Sequence, residues 1–154
     1  MPLVSCIIAG IDRTGAHIWH IHNGAAYCAD AVGYAAIGAG ARHADSQMMT
    51  GRHSREKSPS ETLTLVHAAK KRAEVSPSVG ADTDVIWIGP GLGVSGSMPE
   101  MIVRELDQSY AAMITAERAA LSTAIEQLAD FWTRIGNEEP RPQVADDVEY
   151  EQED

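Results

Sequence analysis

Val4-Ser5-Cys6-Ile7-Ile8-Ala9-Gly10-Ile11-Asp12 opens the part of the chain that decides the fold, and Gly33-Tyr34-Ala35-Ala36-Ile37-Gly38-Ala39-Gly40 completes it. Residues 3–10 are β-branched and apolar on both faces, which predicts a buried strand. Asp12-Arg13-Thr14-Gly15 supplies turn chemistry, with Gly15 suited to a positive φ. The run from Ala16 to His22 reads as a second strand, so the two segments form a hairpin. Asn23-Gly24 is a further turn, and shorter strands are expected over 26–29 and 34–37.

Helical signals follow. They run from Ala41 to about Thr50, where Gly51 ends them, and a basic loop from Arg52 to Lys57 comes next. Ser58-Pro59-Ser60-Glu61 is a helix start with Ser58 as N-cap, Pro59 at the first helical position and Glu61 closing a capping box. That helix is expected to reach about Val75, before Ser76-Pro77-Ser78-Val79-Gly80 breaks it. Asp84 to Ile88 reads as the last strand. After a Gly-rich connector, Ser97-Met98-Pro99-Glu100 opens a long helix to about Ile135, whose apolar residues keep close to a 3.6-residue period. Glu117 interrupts that stripe, so no sustained heptad seam is expected, and packing along the domain is favoured over packing against a partner helix. The organisation expected is an α/β domain over 1–96, the long helix over 97–136 and a disordered acidic tail over 137–154.

Composition narrows the class of function. At 154 residues the chain fits one domain, and with 44% hydrophobic but 5% aromatic residues its core must be built from Ala, Ile, Val, Leu and Met. A net charge of −10 argues against nucleic acid or an anionic membrane surface as partner. The charge is uneven: from Asn137 onward eight carboxylates face one Arg, a net −7. Cys6 and Cys28 are isolated in apolar runs, so reduced, buried thiols are expected rather than a disulfide. Met1-Pro2-Leu3 lacks the basic start of a signal peptide, and no run approaches the ~20 apolar residues of a membrane span. A cytoplasmic location is the expectation.

The order of these pieces resembles the middle of proteasome β-type subunits and their bacterial relatives. The pieces are Ile8-Ala9-Gly10-Ile11-Asp12, the strand from His17 to His22, Tyr34 to Gly40, the capped helix from Ser58, Ser78-Val79-Gly80, and Asp84 to Ile88. Together they cover roughly residues 3–89. The resemblance implies an α/β (α+β) Ntn-hydrolase fold, a four-layer αββα sandwich in which a terminal Thr attacks a peptide carbonyl and its own α-amine is the base. It also implies that Gly38, Gly40, Ser78 and Gly80 are support residues. The chain departs from the family in three places. Pro2 follows Met1, so no nucleophilic side chain stands at a processed terminus; Ala39 replaces the Ser between the two glycines; and Val75 stands near the position of the supporting Asp. The expectation is therefore a partial, N-terminally truncated proteasome-like domain without a catalytic residue, either cut from a longer hydrolase or a natural half that complements another polypeptide. It is expected to be inactive alone, to need no cofactor or metal, and to associate as a homo-oligomer or with a complementary chain. The alternative is a noncatalytic oligomerisation or assembly module.

Other signals read as structural. Gly91-Leu92-Gly93-Val94-Ser95-Gly96 matches G-x-G-x-x-G, but the helix beyond it is too long and no acidic ribose-binding strand follows, so a flexible connector is expected. His20 and His22 share a strand face while His17 points away, so the histidines cannot converge on a metal locally, and nothing ties in His43, His53 or Asp45. Ser5-Cys6 would be N-terminal nucleophiles only if the chain began there. The cations from Arg42 to Arg72 read as a solvated face, or as a dock for the acidic tail.

Overall fold

The computed structural model describes residues 4–91 and 93–137. They form a mixed α/β arrangement with short antiparallel strands and three helices, the last of them long. The chain divides into two compact units, Met1–Ile114 and Thr115–Asp154, and the division falls inside the last helix. The acidic segment expected to be disordered lies outside the described residues.

In the first unit, β1 (Ser5–Asp12), β2 (Gly15–His22) and β3 (Ala25–Cys28) form an antiparallel meander in that order. Turn chemistry sets the register. Arg13 and Thr14 alone separate Asp12 from its partner Gly15, which adopts φ 131°. Asn23 and Gly24 take φ 52° and 79°, the paired positive values of a tight turn that matches strand twist.

Opposed residues share a face. One face therefore carries Cys6, Ile8, Trp19, Ile21 and Cys28, and the other carries Ile7, Ile18, His20 and Tyr27. The second face is partly covered, since Ile7 lines a groove together with the helical residues Met48 and Val66. The first face is open: Ile8 is 56% exposed and Trp19 42%. β1 is thus not the doubly buried strand its composition predicts, because a meander covered on one side leaves alternate apolar residues in water. The thiols are not both buried either; Cys6 is half-buried and Cys28 exposed, with β2 lying between them.

Residues 34–37, expected as a strand, join no ladder. Gly33 (φ 76°) closes a turn onto the Ala29 carbonyl and directs the chain to the loop at residue 53. There the His53 ring donates to the Gly33 carbonyl at 3.3 Å and meets Tyr34 edge-on at 5.8 Å.

The helices α1 (Ala41–Thr50) and α2 (Pro59–Ala73) follow. α2 starts as the sequence dictates. Ser58 Oγ accepts the Glu61 N–H at 3.3 Å, and the Glu61 carboxylate accepts the Ser58 N–H at 3.0 Å. The bond from the Ser58 backbone is the main reason that Glu61 is held down to a pKa of about 2. The core lies where α1 and α2 meet, and it is small: Met48, Ala68, Ala69 and Ala73, with Leu106 from the last helix. Close approach replaces bulk there. A Cβ on Gly40 would sit 2.6 Å from Ala73 Cβ, and one on Gly51 would overlap the Leu65 side chain.

β4 (Ile86–Ile88) pairs with β5 (Ser95–Ser97) in a second antiparallel hairpin. β5 occupies what the sequence predicts as a flexible connector. Gly96 makes this possible, because a Cβ there would lie 3.0 Å from Trp87 Nε1 on the facing strand. The long helix α3 (Glu100–Asn137) is anchored near its start. His67, 3% exposed, donates from Nε2 to Asp107 at 3.0 Å, and Lys71 pairs with the same carboxylate at 3.1 Å. Lys71, followed by the His67 bond, keeps Asp107 below the usual carboxylate range.

Gly40→Ala is expected to destabilise the protein by about 1–3 kcal/mol, because the added methyl must push α1 away from α2. Gly10→Ala, where nothing lies within 4 Å of the new Cβ, serves as the control. Equal urea midpoints for the two variants would refute the close-approach account.

Candidate functional site

The segments Tyr34–Ala41 and Ser78–Gly80, distant in sequence, face each other across an open groove of about 560 Å³. All four residues singled out by the resemblance, Gly38, Gly40, Ser78 and Gly80, line it. Two bonds fix its walls. Ser76 Oγ donates to the Ala39 carbonyl at 3.3 Å, and Lys70 Nζ donates to the Gly80 carbonyl at 2.8 Å. Glu74 holds the same ammonium at 2.6 Å, so Lys70 is a neutralised strut across the loop. Ile7, Ala36, Met48, Val66 and Ala69 make the floor apolar. Among the described lining residues the hydroxyls are those of Ser78 and Tyr34, and the charged side chains are Lys70 and Asp82. Partial burial pushes the Tyr34 phenol up, away from an ionised state. The groove can hold an extended apolar segment.

A second cluster, which the sequence reading missed, stands at the tip of the β1–β2 hairpin. Thr14 Oγ1 donates to Asp12 Oδ1 at 2.6 Å and lies 2.8 Å from His17 Nε2. His17 Nδ1 donates to Asp30 Oδ2 at 2.6 Å, and Nε2 lies 3.2 Å from Asp12 Oδ1. The other Asp30 oxygen accepts the Ile18 N–H at 2.7 Å, which locks the carboxylate to β2. A hydroxyl, an imidazole and a carboxylate in line outline a nucleophile, its base and an orienting group. The bonding argues otherwise. Thr14 Oγ1 already gives its proton to Asp12 and not to the ring, and Asp30 first, then Asp12, raises the His17 pKa, which favours the protonated ring over a free base. Asp12 is held down to about 2, chiefly by the Thr14 hydroxyl, and Asp30 is lowered, chiefly by the Ile18 N–H. The cluster is an imidazole ring clamped between two carboxylates, and it joins the end of β1 to the chain beyond β3.

The remaining candidates are separated by the strands. His20 and His22 lie on the face opposite His17, with ring centroids 6.0 Å apart. Ser5 Oγ lies 2.6 Å from His22 Nδ1. Asn23 donates to Nε2 at 2.9 Å, which leaves Nδ1 the protonated nitrogen, a donor to Ser5 and not its base. The G-x-G-x-x-G run leads into β5 and not onto a helix start, since α3 begins at Glu100. Of the basic stretch, Lys57 pairs with Glu61, Lys70 and Lys71 with Glu74, and Arg55 reaches the Ala16 carbonyl at 3.3 Å. No described helix is long and apolar enough to cross a membrane.

The His17 clamp gives a pH dependence whose sign is fixed. A folded-state pKa above the ordinary imidazole value of 6.5 contributes stability in full below that value, and the contribution fades as pH rises through the folded value. Asp12 contributes above its ordinary 3.8 and loses that contribution as pH falls through about 2. Ring-proton NMR titration is expected to place the His17 midpoint above that of an ordinary imidazole, and Asp30→Asn to lower it. An unchanged midpoint in the variant would remove the clamp. No family model, curated protein or solved structure matches the chain.

Proposed function

We propose that the chain is a noncatalytic part of a proteasome-like peptidase or amidohydrolase domain of the N-terminal-nucleophile type. It supplies one wall of the substrate cleft, and a complementary polypeptide supplies the nucleophile. The observation that carries this reading is the convergence of Gly38, Gly40, Ser78 and Gly80 on one apolar groove. The groove suits an extended peptide: it has glycine backbone on both sides, a fixed carbonyl at Gly80, and no charge left unneutralised at Lys70. Ala39 and Val75 stand where the resembled family has supporting groups.

A second reading, an assembly module, is favoured by one specific observation. The open sheet face carries Ile8, Trp19, Ile21 and Cys28, an apolar surface of the kind that a second sheet covers in a sandwich. The two readings use opposite faces of the meander, since Ile7 lines the groove from the face away from Ile8 and Trp19.

Purified protein is expected to release nothing above buffer from fluorogenic peptide amides, while the same peptides shift the amide resonances of Gly38, Gly40, Ser78 and Gly80. Turnover abolished by Ser5→Ala or Cys6→Ala would overturn the proposal, as would peptide-induced shifts confined to other residues.

A further inference from the structure

Every described residue of α3 from Thr115 to Ile135 is exposed. Its large side chains are not scattered. Leu121, Ile125, Leu128, Trp132 and Ile135 follow one another at intervals of four, three, four and three residues, and they are 62%, 59%, 53%, 62% and 43% exposed. That alternation is a heptad seam with Leu121, Leu128 and Ile135 at d and Ile125 and Trp132 at a. Glu117 hides it from a count begun at residue 98, because the pattern holds only beyond Arg118. The flanking e and g positions are Ser122, Ala124, Ala129 and Phe131, mostly small, so a second helix can approach closely and no charge rims the central layers.

We infer that this half of α3 is a homodimerisation surface, and that two copies of the chain pair through it antiparallel. The partner is a second copy because the seam is self-complementary. A knob repeating at these intervals needs holes with the same repeat, and this helix presents both. Orientation follows from the ends of the seam. A parallel pair would stack Arg118 on Arg118 and Trp132 on Trp132 at the a positions either side of Ile125, joining like charges and two of the bulkiest side chains. An antiparallel pair sets Trp132 against Leu121 and Ile125 against Leu128, each layer occurring twice. It also moves each Arg118 to the rim beside Ile135 of the other copy. Phe131, 45% exposed and 5.9 Å from the Trp132 ring, extends the contact along one flank. Covering these side chains removes on the order of 600 Å² per helix, or about 1,200 Å² for the pair, the lower end of the range for specific interfaces. This association is independent of the groove and of the open sheet face.

The test is the mass of the full chain by light scattering at micromolar concentration. Wild type is expected at twice the 16.5 kDa of one chain. Leu128→Glu is expected to be monomeric with unchanged helical circular dichroism, and Trp132→Ala to weaken association by about tenfold or more. Ile8→Ser with Trp19→Ser, which alters the sheet face, is expected to leave the dimer intact. That pair therefore separates helix-mediated association from the sheet-mediated association of the second reading above. With Cys6 and Cys28 replaced by Ser, a mixture of Leu121→Cys and Trp132→Cys chains is expected to oxidise to the mixed disulfide. A monomeric wild type, a dimer that survives Leu128→Glu, or Leu121→Cys cross-linking only to itself would overturn the inference.

Discussion

The first unit depends on two helices being allowed to touch. Gly40 lies against Ala73 and Gly51 against Leu65 with no room for another methyl group. A chain with 5% aromatic residues cannot fill wide gaps between elements, so it closes them. Alanines at 68, 69 and 73 then form a core in which backbone proximity does what large side chains do elsewhere. The same approach fixes the segment ahead of α1, and with it one wall of the groove. The opposite wall is held by Lys70, which α2 carries on its last turns and which reaches the Gly80 carbonyl. Packing and site are consequences of one constraint.

What this core does not do is equally informative. It draws in one face of the meander and leaves the other to solvent, with an apolar row running across all three strands from Ile8 through Trp19 to Cys28. The polar tip of the same hairpin is tightly organised. Asp12, Thr14, His17 and Asp30 share bonds of 2.6 to 3.2 Å, and that network ties the hairpin tip to the chain beyond β3. The sheet is therefore stiffened by charge at one end and left uncovered over its middle.

Much of the local structure was legible because it rests on neighbouring residues. The capping box at Ser58 and Glu61, the two-residue turn before Gly15 and the end of α1 at Gly51 are each decided within four positions. Longer-range outcomes were not. Tyr34 to Ile37 has strand composition but finds no ladder, because Gly33 turns it towards His53. Ser95-Gly96-Ser97 has connector composition but becomes a strand because Trp87 faces the empty side of Gly96. The groove needed residues 34–41 and 78–80 to meet across the helix pair, and no local pattern announces that. The pairing of His17 with Asp30 needed the register of three strands, since alternation places His17 on the outer face without naming its partner.

The chain holds three tryptophans, and each belongs to a different piece: Trp19 to the meander, Trp87 to the small hairpin and Trp132 to the exposed half of α3. At 42%, 43% and 62% exposure, all three residues are open to solvent in part. The molecule thus carries a built-in optical label on each of three surfaces. Replacing two of them by Phe leaves a single fluorophore whose emission moves to the blue only when its own surface becomes dry.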